Sequence, residues 1–379
     1  MRNKIINALL MRACACMIAA TVVASCAEPQ ITKESIVVDP YVTMRASDFV
    51  ESCKEIRLSK SDSCVLSKID ALKIYDDDLL ILDNGQLYLF GKDGNFVSRI
   101  GRRGKGHGEY ISVEDFDMVG NNIIVLSRYQ NALLEYSKEG VFIKKHLLDD
   151  AYAKFYVIDE HHVILASHSC NDTHANFVWY DISDDKKQES SGRFEKNQSM
   201  LFGDFNAFIG RDEQLLVAAP FDYTIYSLPI SGGEMREFMS FDFKTKVKIP
   251  GDISDKDFFK LYESTMNKNV VKYMVGYVSK KGRSYLAYPL FDEVGGINVC
   301  ITRINDDGSN KTCKIGMEID KKYRYFSMGE YKGLAGDRII MTCPADVILK
   351  REKERGLSHF TKSGLKRGDN PVVFVYRLK

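Results

Sequence analysis

The residue types best suited to chemistry gather in a few stretches. From Arg99 to Glu109 the chain reads Arg-Ile-Gly-Arg-Arg-Gly-Lys-Gly-His-Gly-Glu. Its glycines, with Arg102, Arg103, Lys105 and His107, can hold an anion between backbone N–H groups and positive side chains. The same run suits a tight crossover between two elements, with glycine wherever a positive φ is needed. It lacks the Gly-Lys-Ser/Thr ending of a phosphate loop, and no helical pattern follows it. A second basic stretch, Ala345 to Asn370, begins with helix formers and carries Lys350, Arg351, Lys353, Arg355, Lys362, Lys366 and Arg367. Such local charge can recruit an acidic partner or glycan, or belong to a solvated capping helix.

His161, His162, His168 and His174 lie close together. Adjacent residues of a strand point to opposite faces, and no His-Glu-x-x-His spacing exists, so no metal site is predicted. Carboxylates abound at Asp76, Asp77, Asp78, Asp115, Asp117, Asp222, Asp292 and Glu293. Neither a calcium loop nor a Gly-x-Ser-x-Gly elbow accompanies them. No cofactor fingerprint is present, and none is expected. Tyr323-Arg324-Tyr325-Phe326 offers rings that can pack in a core or stack on sugar or peptide.

The elements that must position these residues are strands. Six short apolar runs recur: Leu79–Leu82, Ile123–Leu126, Val163–Ala166, Leu215–Ala218, Ser284–Ala287 and Ile339–Thr342. Their length suits strands buried on both faces. Each is followed by a second strand. Five are then followed by a turn, such as Lys92-Asp93-Gly94 or Asp306-Asp307-Gly308, and a third strand. The runs start 44, 40, 52, 69 and 55 residues apart. A propeller blade is a four-stranded sheet of about 40–50 residues, so the longer spacings carry insertions. A β-sandwich would not repeat a four-strand unit six times. The sixth unit lacks its last strand, and Cys53–Leu58 is an orphan strand ahead of the first, so the two should pair and close the ring.

The expected fold class is therefore all-β, a six-bladed β-propeller with two short helical insertions. One insertion starts at the capping-box sequence Ser254-Asp255-Lys256-Asp257, with a helix expected over Asp255 to Val278. The other is Ala345 to Asn370. Both are expected on one rim of the ring.

The amino end reads as an export signal. Arg2, Lys4 and Arg12 precede the apolar run Ala13–Val23, which is too short to span a bilayer, and then Val23-Ala24-Ser25-Cys26. Small residues before a cysteine resemble the bacterial lipobox, which implies cleavage before Cys26 and acylation of its thiol. The domain expectation is residues 1–25 as signal peptide, 26–45 as tether and 46–379 as propeller. Loss of Arg2, Lys4 and Arg12 moves the formal net charge from +1 to −2, so no overall charge attracts nucleic acid. Cys300 and Cys313 flank the turn Asn305–Gly308 almost evenly, as a disulfide candidate or as two free buried thiols.

Three motifs carry a family resemblance. The first joins Phe90-Gly91-Lys92-Asp93-Gly94 through Arg99-Ile100-Gly101 to Gly104-Lys105-Gly106-His107-Gly108-Glu109-Tyr110. It resembles the connector of NHL-type propellers, and more closely that of bacterial six-bladed β-propeller lipoproteins of uncharacterised function. His107 stands where that family usually has proline. Asp222-Tyr223-Thr224-Ile225-Tyr226 and Asp369-Asn370-Pro371-Val372-Val373 are similar to its other conserved strands. The resemblance implies a propeller, export and lipid anchoring, and it implies no reaction. The expected location is the bacterial cell envelope, with the outer membrane as the membrane. The functional expectation is a non-catalytic binding or scaffold module for a peptide, glycan or partner protein. The alternative is a propeller hydrolase or lyase acting at the central pore mouth.

Overall fold

A computed structural model describes residues 35–379 except 42, 168–174, 193, 195–204, 212, 248, 251–252, 266–268, 292–296 and 317–319. Its strands form six sheets. Blade one is Ile69–Ile74, Asp78–Asp83, Gln86–Gly91 and Phe96–Ile100. Blade two is Asp115–Val119, Asn122–Ser127, Ala132–Ser137 and Phe142–Leu147. Blade three is Tyr152–Val157, His162–Ser167, Phe177–Asp181 and Lys186–Ser191. Blade four is Phe208–Arg211, Leu215–Val217, Thr224–Leu228 and Arg236–Phe243. Blade five is Gly276–Lys280, Arg283–Phe291, Ile297–Asn305 and Asn310–Lys314, with Val270–Val271 on the far end of its second strand. Blade six is Glu330–Ala335, Arg338–Cys343, Val372–Leu378 and, as its outermost strand, Val50–Arg57.

The six apolar runs are the second strands of the blades. They sit inside their sheets, and both faces pack on neighbours, which is why Leu80, Ile81, Val125, Leu165, Leu216 and Leu286 are all wholly buried. The buried side chains form six main clusters, one between each pair of adjacent blades. Ring closure follows the expected pairing. Val50–Arg57 runs antiparallel to Val372–Leu378, from Val50 opposite Leu378 to Arg57 opposite Val372.

Strand alternation sorts the connections. Links between first and second strands, and between third and fourth, are tight hairpins on one rim. Links between second and third strands, and from blade to blade, emerge on the other. The first insert follows a fourth strand and the second follows a second strand, so both belong to this long-loop rim.

Two expectations change in detail, and one open alternative is decided. The first insert's helix is Asp255–Ser264, not a helix to Val278. Ser254 caps it through the Asp257 amide, and Thr265 ends it by turning its hydroxyl back to the Tyr262 carbonyl. Val270–Val271 and Gly276–Lys280 must then pair as strands with Arg283–Phe291. Part of the stretch read as tether packs on the ring. Ile36–Val38 adds a parallel fifth strand to blade four, and Thr43 bridges to Thr312 of blade five. Finally, Cys300 and Cys313 are free thiols. Cys313 lies opposite Ile301, one residue out of step with Cys300, so the two side chains point to opposite faces of the sheet.

Candidate functional site

The inner strands line the central channel with charge, and that charge is tied up. The Lys73 ammonium lies 3.2 Å from Asp115 and 2.8 Å from Asp117. Asp115 also accepts from the Phe116 and Phe155 amides, and Asp117 from the Tyr75 hydroxyl and the Met118 amide. Burial opposes the Lys73 charge, but the two carboxylates outweigh it and hold its pKa above the ordinary range. Burial and Asp117 push the Tyr75 phenol up. Lys154 donates to the Glu114 carbonyl and Lys332 to that of Ile69. These contacts join inner strands of different blades, and the acids of the pair serve that network.

The glycine-rich connector folds around its own carboxylate. Glu109 accepts from the Gly106 amide at 2.8 Å, and a Cβ on Gly104 would come within 2.0 Å of the Glu109 Oε2. Gly101, at φ +52°, lies against the Tyr136 ring. Tyr110 is buried between blades one and two, where its hydroxyl donates to the Ile100 carbonyl and accepts from the Leu87 amide. The motif thus locks the blade-one exit. Arg102, Arg103, Lys105 and His107 remain exposed around it, with His107 edge-on to Phe142 at 5.0 Å. A cavity of about 390 Å³ lies beside Arg102 and His107.

The other predicted residues do not converge. His162 is held by Asp159 and Asp181, while His161 is exposed. His168, His174, Asp292 and Glu293 lie outside the described residues, as do Cys26 and Cys170. Asp77 pairs with Lys92 and Asp78 with Lys138, and Asp222 accepts from Tyr226. Among the described residues no His, Cys, Asp or Glu cluster can hold a metal, and no helix is long and apolar enough to cross a membrane.

The strongest convergence is on blade six, beneath the second insert. Phe374 and Tyr376 alternate along one strand and therefore share a face, their rings 6.1 Å apart and nearly parallel. Glu55 lies opposite Phe374 and Cys53 opposite Tyr376 on the outermost strand. The connector from blade five brings Tyr323 and Tyr325 over this face, with Tyr325 stacked 6.0 Å from Phe374. His359 closes the end by a 2.8 Å contact with Glu55. The result is a slot of about 430 Å³ with an aromatic floor and a rim of Glu51, Lys322 and Arg324. Burial pushes the Cys53 thiol up to about 12, so it is no nucleophile at neutral pH.

The insert is braced from within. Its helix Ala345–Arg355 ends at Gly356 in the left-handed region. Glu352 turns inward and is 1% exposed. It accepts from the Tyr325 hydroxyl, the Phe360 and Thr361 amides and the Thr361 hydroxyl. Burial raises its pKa, but these donors prevail and bring it to about 2. Lys350, Arg351 and Lys353 are exposed, with Glu354 about 4 Å from the first two. Arg355 is instead bound to Ser327 at 3.1 Å, so it belongs to the bracing.

A sequence profile for the domain of unknown function DUF4934 matches residues 30–377. No curated protein matches the sequence. Among solved structures, a protein of Bacteroides fragilis NCTC 9343, described as exported by inference, superposes with a TM-score of 0.67 at 19% identity. The match covers 91% of this chain and 99% of that one. A member of the DUF4221 family from Bacteroides vulgatus ATCC 8482 gives 0.54 at 9% identity, covering 87% and 97%. At these identities the likeness is one of fold. The profile takes in every blade of the ring, and the chain belongs to the DUF4934 family of domains of unknown function.

Proposed function

We propose that the protein is an exported, lipid-anchored module of the bacterial cell envelope that binds a peptide segment of a partner protein and performs no reaction itself. The anchor is Cys26, acylated after cleavage, and the outer membrane is the membrane we assign. The order of basic, apolar and small-plus-cysteine residues at the amino end supports this, as does the inferred export of the Bacteroides fragilis neighbour. NHL-like repeats fit the connector motif.

The observation that carries the binding reading is the blade-six slot. It combines an aromatic floor with charges of both signs at the rim, and the insert that supplies His359 to it also carries Lys350, Arg351 and Lys353, exposed on its helix. An apolar or aromatic side chain fits the floor, and acidic neighbours in the same peptide fit the insert. Partner capture from envelope extracts tests this. Tyr325→Ala, and separately Lys350, Arg351 and Lys353 all to Ser, should each reduce recovery of the same partner by about tenfold, the triple variant at an unchanged melting temperature. Undiminished recovery with both variants would sink the reading. Cys26→Ala should in turn move the protein from membrane to soluble fractions. Unchanged fractionation would refute the anchor alone.

A further inference from the structure

On the hairpin rim, blades three and four leave a cavity of about 570 Å³ between them. Its floor is apolar, made by Ile158, Trp179 and Ile230. Trp179 is the single tryptophan of the chain, and its indole N–H donates to the Ile230 carbonyl at 2.8 Å. The walls are polar. His162 is fixed by Asp159 at 2.8 Å, and that carboxylate also takes the His161 and His162 amides. Facing it, Glu213 and Gln214 on a blade-four hairpin, and Ser231 on a blade-four turn, are exposed. None of these three side chains hydrogen-bonds another described residue.

Gln188 completes the wall, and the backbone explains its presence. Trp179 pairs with Glu189 and Tyr180 with Lys187, so Gln188 is the extra residue of a β-bulge. The same bulge recurs in blades one, two and four, where the extra residue is Val97, Ile143 or Phe238. Among these four blades, only blade three places a polar side chain there, and it borders the cavity.

The chemistry selects a ligand class. One unengaged carboxylate, two amides and a hydroxyl supply donors and acceptors side by side above an apolar floor. A sugar ring offers the complement, with vicinal hydroxyls that donate and accept and a C–H face. A cation would need more unpaired negative charge than Glu213 alone provides. A wholly apolar ligand would leave the walls desolvated and unpaired. We propose that this cavity binds a neutral oligosaccharide, independently of the blade-six slot.

Because Trp179 is the only tryptophan, its fluorescence reads this cavity and is silent for the slot. Maltotetraose, cellotetraose, fully N-acetylated chitotetraose and tetralysine would be titrated into the full chain to roughly 10 mM. At least one of the sugars should give a saturable change in emission. Combined Glu213→Ala and Gln214→Ala should weaken it about tenfold, and Gln188→Ala severalfold, while Tyr325→Ala leaves it unchanged. If the combined variant does not fold, Gln188→Ala carries the test. Silence with all three sugars, a response to tetralysine alone, or a sugar response indifferent to these wall residues overturns the proposal.

Discussion

A carboxylate that is almost wholly buried and still ionised needs donors on every side, and Glu352 has four. Two of them are backbone amides at the start of the turn His359–Lys362, and one is the Tyr325 hydroxyl at the blade-six slot. The same carboxylate therefore holds the insert's two helices together and positions a slot residue. Glu352→Gln keeps the shape but loses the charge-assisted bonds, and should cost about 2–3 kcal/mol in urea unfolding. Amide exchange at Phe360 and Thr361 should speed up before the rest of the ring. The pH dependence has a fixed sign. The folded pKa, about 2, lies below the ordinary 4.5, so the stabilisation is present above the unfolded value and is lost as pH falls toward 2. A depression of this size corresponds to on the order of 3 kcal/mol. An acid-unfolding curve of Glu352→Gln as steep as that of the parent between pH 4.5 and 2 would contradict this.

Among the strands, legibility in the sequence followed burial. Second strands such as Leu79–Leu82 are buried on both faces and stand out as apolar runs. First strands carry no such run, because the channel side interrupts them with Lys73, Asp117, Lys154 or Lys332. Their polar residues satisfy one another across blades, a pattern with no local period. The recurring bulges were invisible for a related reason, since an inserted residue breaks the alternation that would reveal it. At the slot, Tyr323 and Tyr325 were recognisable as a ring cluster. Their partners Cys53 and Glu55 lie more than 250 residues away and meet them only through ring closure. Register also governs the cysteines. Cys300 and Cys313 belong to cores on opposite sides of blade five, and burial pushes the Cys300 thiol up to about 12. Peptide mapping of the oxidised, folded protein without reductant should find both unlinked, and alkylation should require unfolding. A Cys300–Cys313 cross-link in the native protein would show that the register is wrong.

The ring as a whole is a closed series of six interfaces, and its chain ends meet in one sheet. Closure makes the blades interdependent, because no blade has a free face between its neighbours. The last strand is where this dependence can be tested. Val372, Val373, Phe374, Val375, Tyr376 and Leu378 are all buried, and the strand pairs with Val50–Arg57 on one side and Arg338–Cys343 on the other. Its removal would take six buried apolar side chains out of the core, a loss of roughly 1.5–3 kcal/mol each. It would also leave the amino-terminal strand without a partner. The loss, on the order of 10 kcal/mol, is comparable to the entire stability of an ordinary domain. Deletion of residues 372–379 should therefore abolish the cooperative thermal transition of the whole ring instead of trimming one blade from it. Circular dichroism would show no melting step, and limited proteolysis would cut blades one to five as readily as blade six. A truncated chain that melts within a few degrees of the parent, or that yields a protected five-blade fragment, would show that each blade stands on its own neighbours and that the meeting of the two ends is incidental.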